Sequence, residues 1–192
     1  MILPERTHLS KEEAHRFFLT DGLNFAQPWG KLYHRSVFFG ITYPQGKIYE
    51  DISVITSVLE NAKSVIVLGI PVYRYCQSTS SISQTNDVSK HLDGLKATLD
   101  NYRFYQNNYP ELSKISADAV LNFAYYLLGK TARSGIKNNK EIFDYTVSVI
   151  KETRHNAANR WMSTKIANCL FSVSPVLTAK FCQLYSYLKN GL

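Results

Sequence analysis

No D-x-D, C-x-x-C, H-x-x-x-H or H-E-x-x-H spacing occurs in this chain of 192 residues. The compact sites these spacings build, for a divalent ion, a zinc ribbon or a dithiol redox pair, are therefore unsupported. A G-x-S-x-G elbow, a Walker loop and a dinucleotide-binding glycine fingerprint are absent too. Cysteine is scarce: Cys76, Cys169 and Cys182 are an odd number with no close pair. They are expected as small buried residues in a reducing compartment. No run of 18 uncharged apolar residues is present, so no membrane-crossing helix is expected. The opening MILPERTHLSKEE lacks the apolar stretch of a secretory leader. The expected location is cytoplasmic, with any membrane contact peripheral, at the inner face.

Acid is short on one side of the chain. Residues 1–129 hold 12 basic and 12 acidic side chains, whereas residues 130–192 hold 10 and 3, which accounts for the whole net charge of +7. Apolar residues at 45% and charged residues at 19% exclude a disordered or collagen-like chain. A chain of this length buries about 70% of its unfolded surface and needs no disulfide or metal to hold a core. The pI of about 9.2 comes without any nucleic-acid recognition motif, so nucleic acid is not an expected partner.

Periodicity and punctuation give the outline. Ser10 and Glu13 have capping-box spacing ahead of a helix over residues 10–20. A second helix is expected from Asp51 to Asn61, then a buried strand at Ser64–Leu68 and another at Val72–Tyr75. The Ser, Thr, Gln and Asn run over 77–86 reads as a loop. Beyond it, Val88, Leu92, Leu95, Leu99 and Tyr102 mark one helical stripe. Pro110 is placed to open a helix and Gly129 to close it. A further helix spans Lys140–His155, and Ser174 caps the last one.

The patch richest in chemistry is Gln27-Pro28-Trp29-Gly30-Lys31-Leu32-Tyr33, followed by Gly46-Lys47-Ile48-Tyr49-Glu50-Asp51. Two readings stand side by side. Adjacent acids at a helix start complement its dipole and cap free amides, and aromatics pack cores. Alternatively, one carboxylate caps the helix while its neighbour faces a cleft as general base, Gly46 allows the turn that presents them, and the aromatics offer flat faces to a sugar.

With Pro71-Val72-Tyr73-x-Tyr75 and Ser81-Ile82-Ser83 following in order, these motifs resemble the second half of a family 2 glycosyltransferase of the GT-A fold. Residues 165–192 are similar to the helical tail of bacterial members that build surface polysaccharides. The resemblance implies an α/β front, a partial GT-A, Rossmann-like sheet, followed by an all-helical C-terminal region, mostly α overall. Residues 1–84 would be the acceptor-side part and residues 85–192 the helical region. It implies Asp51 as general base on the acceptor hydroxyl, with Glu50 orienting the acceptor or holding the helix start. Trp29, Lys31, Gly46 and Tyr49 would bind substrate. Arg74 would stand in for the cation that relatives carry where this sequence has Cys76. The reaction implied is inverting transfer of a sugar from a nucleotide sugar to a saccharide or lipid-linked acceptor. The family's P-x-Y-N strand, nucleotide-binding Asp and D-x-D are not in this sequence. The donor-binding half, and with it Mg²⁺ or Mn²⁺, is thus expected from elsewhere, such as a separate chain, and little activity is expected of this chain alone.

A different class of function fits the charge count alone: a non-catalytic basic helical module for a membrane surface or a partner protein. Its cations interleave with Phe171, Phe181, Tyr185 and Tyr187, a pattern suited to an anionic membrane surface.

Overall fold

The computed structural model describes residues 6–21, 26–74, 76 and 87–190, without the side chains of 21, 189 and 190. A small α/β front is followed by a helical region, and the whole is mostly α. In chain order the elements are β1 (Arg6–Leu9), α1 (Lys11–Asp21), α2 (Glu50–Asn61), β2 (Val65–Leu68), α3 (Val88–Asn108), α4 (Ser113–Ser134), α5 (Lys140–Thr153), α6 (Met162–Val173) and α7 (Pro175–Asn190). Short 3₁₀ turns at Arg35–Phe38, Pro110–Leu112 and Lys137–Asn139 punctuate them. Among the described residues no helix is long and apolar enough to cross a membrane.

The front is held by local chemistry. Ser10 and Glu13 close the reciprocal capping box: the Ser10 amide donates to Glu13 Oε2 at 2.8 Å and the Glu13 amide to Ser10 Oγ at 3.3 Å. Such a cap contributes about 1 kcal/mol. β2 pairs antiparallel with β1, Leu9 opposite Val65 and Arg6 opposite Leu68. The sequence pattern did not mark β1, because Arg-Thr-His-Leu becomes a strand only through this non-local partner. Nor is β2 buried on both faces as its apolar run suggested. Val65 points inward with Leu9 onto α1 and α2, while Ile66 and Leu68 stay exposed on the uncovered face. Residues 72–74 form no strand; Tyr75 and the whole of the expected 77–86 loop, including the 84/85 boundary, lie outside the described residues.

The helical core is built on α3 and α4. Val88, Leu95, Leu99 and Tyr102 are buried along α3, as their spacing predicts, against Val120, Leu121, Leu127 and Leu128 of α4. Each such side chain contributes roughly 1.5–3 kcal/mol by leaving water. α4 follows the Pro110 turn and does not stop at Gly129: it runs to Ser134, and Gly135 at φ +94° ends it. Gly129 is instead where α7 comes closest, since an added Cβ there would lie 3.0 Å from the Cys182 backbone. Ser174 does cap α7, its Oγ accepting from the Leu177 amide at 3.3 Å. Of the cysteines only Cys182 is buried; Cys76 and Cys169 are exposed, contrary to expectation. Phe171, expected on a basic surface, is buried beneath Arg154.

A polar cluster ties the front to the helices. His15 of α1 is fully buried, with Nδ1 3.0 Å from the Tyr105 hydroxyl and Nε2 3.0 Å from Glu60 Oε1. Tyr109 donates to the same carboxylate oxygen at 2.5 Å. Burial holds the imidazole below its ordinary value, although the Glu60 carboxylate pulls the other way. For Glu60 burial pushes upward, but the hydrogen bonds from Tyr109 and His15 prevail and leave its carboxyl low. An unfolded histidine takes its proton near pH ~6.5. Stability from His15 is thus fully present above that pH and falls below it, toward the lower folded value, by about 1.4 kcal/mol for each pH unit in which only the unfolded chain holds the proton. Glu60 acts in the same direction but in a more acidic window. We expect the urea midpoint to drop between neutral pH and pH ~5, and His15→Gln to flatten that slope. An unchanged slope in the variant would take His15 out of the account.

Candidate functional site

The acidic start of α2 is set by an unusual backbone. Gly46 turns at φ +73° with open space around its Cα, and Tyr49, just before α2, is itself left-handed at φ +64°. That conformation costs a non-glycine residue about 1–2 kcal/mol and needs anchoring. The anchor is in the helical core. The Tyr49 hydroxyl lies 2.8 Å from Nδ1 of buried His91, and its ring meets Phe123 edge-on at 5.1 Å. Gly94 of α3 makes room: a Cβ there would be 2.7 Å from the Tyr49 ring and 2.2 Å from Phe123. Tyr49 therefore faces the core rather than a cleft, and what it fixes is the direction in which residues 50 and 51 leave the turn.

Asp51 is half-buried, and its Oδ1 accepts the Ile52 amide at 2.8 Å. This bond satisfies one free amide of the first turn and orients the carboxylate. Burial pushes its carboxyl above the ordinary value, and the charge of Glu50 adds to that; the Ile52 amide and the Lys31 ammonium oppose it. Lys31 is likewise half-buried and donates to the Gln27 carbonyl. Its ammonium is lowered by burial, against the pull of Asp51. Tyr33 is pushed up to about 12 by burial, with Tyr43 and Asp51 adding to the effect, and Tyr43 is raised as well. Asp51 thus sits among Lys31, Tyr33 and Tyr43, with Glu50 half-buried beside it. The carboxylate can accept a proton, and the groups around it can hold a polyhydroxylated ligand.

Trp29 stacks on Tyr73, ring centroids 5.0 Å apart and 15° from parallel. Gly30, left-handed at φ +68°, brings the backbone close beneath Tyr73; an added Cβ would be 3.5 Å from the Tyr73 Cβ. Arg74 is exposed, on a segment without strand pairing, so the alternation that would align it with residue 76 is not present. The structure therefore gathers Lys31, Asp51 and Glu50, sets Trp29 on Tyr73, gives Gly46 the turn, and turns Tyr49 inward. Tyr43, Tyr73 and His91 were not among the candidate site residues. Their contacts join segments far apart in sequence, which no local spacing reveals.

Among the described residues, no group of three or more His, Cys, Asp or Glu side chains could hold a metal ion. Compared with family models, curated proteins and solved structures, the chain matches none.

Proposed function

We propose that residues 27–51, with Tyr73, form the acceptor side of an inverting sugar-transfer site of the family 2 glycosyltransferase kind. The observation that carries this reading is the half-buried Asp51 carboxylate. It is held at the start of a helix by a strained turn, carries a raised carboxyl value and has the half-buried Lys31 in its electrostatic reach. In the proposed step the acceptor hydroxyl oxygen attacks the anomeric carbon, and the bond from that carbon to the diphosphate oxygen breaks. The hydroxyl proton passes to Asp51. Glu50 orients the acceptor, the Trp29–Tyr73 stack offers an aromatic edge to the sugar, and the Lys31 ammonium opposes the rise of the Asp51 carboxyl. The donor nucleotide, its divalent ion and the stabilisation of the leaving diphosphate belong to a donor-binding half supplied from elsewhere. In this reading the chain works on the cytoplasmic side, on saccharide or lipid-linked acceptors.

Fluorescence of Trp29 in a Trp161→Phe background tests the acceptor side. A panel of disaccharides at millimolar concentration should include at least one that quenches it, and Tyr73→Ala should weaken that response up to about tenfold. In calorimetry with Mn²⁺, UDP-, GDP- and dTDP-sugars should show no micromolar binding to this chain. Silence across the disaccharide panel, or tight nucleotide-sugar binding, would overturn the assignment.

A further inference from the structure

The outer surface of the last two helices has the wrong chemistry for water. α7 lays Thr178, Ala179 and Cys182 against α4. Directly opposite, within about 120° of arc at 3.6 residues per turn, stand Val176, Leu177, Leu184, Tyr187 and Leu188, with one cation, Lys180, among them. They are open to solvent: Leu184 is 59% exposed, Leu188 58% and Tyr187 69%. α6 repeats the pattern. Met162, Ile166, Cys169 and Val173 line its exposed side, with Lys165 at the flank and Val173 77% exposed. The two stripes meet at the Ser174 turn. An amphipathic helix normally turns such a face inward; here both helices turn one outward.

We propose that this hairpin face docks on an anionic lipid bilayer, with α7 lying in the interface plane. Charge decides the occupant. Residues 153–192 contain five Lys or Arg and no Asp or Glu. Arg160 is engaged by Asp118, Arg154 lies over Phe171 and the side chain of Lys189 lies outside the described residues; Lys165 and Lys180 stand beside the apolar stripes. Lys180 also borders a groove of about 410 Å³ between the end of α4 and α7, lined as well by Lys137, Ala132 and Ile136. No acid lines this groove. A lipid phosphate is the complement of two lysines beside apolar side chains, and acyl chains are the complement of the stripe. A second copy would set the same cations against each other, which costs association energy. The inference does not depend on Asp51.

Co-sedimentation with phosphatidylcholine vesicles, with and without phosphatidylglycerol, at low and high salt, tests it. Binding is expected only to the anionic vesicles and should be lost at high salt. Lys137→Ala and Lys180→Ala should each weaken it about fivefold, and the pair Leu184→Glu with Leu188→Glu should abolish it. Because these side chains lie outside the core, unchanged helix content by circular dichroism checks that the variants fold. Three results would each overturn the proposal: recovery in the supernatant under all conditions, binding indifferent to these variants, or a dimer in sedimentation velocity that the double leucine variant dissociates.

Discussion

Asp51→Asn should lower sugar-transfer turnover by about 10²- to 10⁴-fold, the contribution expected of a positioned general base, in an enzyme whose donor-binding half is present. The loss should fall on kcat, with KM for the acceptor little changed, because the amide keeps the shape and hydrogen-bonding reach of the acid. The fold should be indifferent. Asparagine Oδ1 can still accept the Ile52 amide that Asp51 now holds at 2.8 Å. The favourable charge at the start of α2, worth about 0.3–1 kcal/mol, is lost, but so is the desolvation cost of the half-buried carboxylate, which pushes its carboxyl upward. Stability within about 1 kcal/mol of the parent, beside a hundredfold loss of turnover, separates a base from a structural cap. Lys31→Met supplies a second, independent readout. Without the ammonium that opposes the rise, the acidic limb of the pH–rate profile should move to higher pH. A profile that does not move, or an Asp51→Asn enzyme with full turnover, would remove Asp51 from the base role.

The parts of this molecule legible in sequence are those that local rules determine. Ser10 and Glu13 satisfy each other within one turn, and Ser174 caps α7 by the same kind of bond. The stripe from Val88 to Tyr102 needs only the period of a helix to show that it faces a core. Legibility fails where one residue serves two possible ends. Gly129 looks like a helix stop because glycine commonly provides one, yet its missing side chain leaves space for the backbone of α7: the room is needed, not the turn. Tyr49 looks like a ligand-facing aromatic beside two acids, but His91, Phe123 and the gap at Gly94 draw it inward. In the site itself, the order Trp-Gly-Lys and Gly-x-x-Tyr-Glu-Asp pointed to the segment, while the stacking of Trp29 on Tyr73 came from a chain reversal that spacing does not encode. The outward apolar face of α7 was hidden for the opposite reason. That helix is apolar on several sides, and only its packing against α4 shows which of them remains open.

Arg160→Ala should be among the most destabilising single changes outside the apolar core, by about 3 kcal/mol, the lower end of the range for breaking a buried ion pair. Asp118 of α4 is completely buried. Its Oδ1 accepts the Asn159 amide at 2.8 Å, and its Oδ2 accepts the Arg160 amide at 3.3 Å and Nε at 3.1 Å. The guanidinium then donates at 3.1 Å to the Leu19 carbonyl near the end of α1, and its plane lies 4.5 Å from the Trp161 ring centre. One side chain thereby joins α1, α4 and the segment entering α6, and supplies a cation to a fully buried carboxylate. Removing it leaves a buried negative charge with two backbone amides and releases an orphan carbonyl at a helix end. The remaining exposure of Arg160, 28% of its side chain, lets water approach the gap and sets the cost at the lower end. Arg160→Lys keeps the charge but not the fork that reaches both Asp118 and Leu19, so an intermediate loss is expected. Adding Asp118→Asn to Arg160→Ala should recover part of the stability, because the uncompensated charge goes with it. Urea unfolding of the three variants checks the order. A loss below about 1 kcal/mol for Arg160→Ala, the value of an exposed surface pair, would mean that Asp118 is held by its two backbone amides alone.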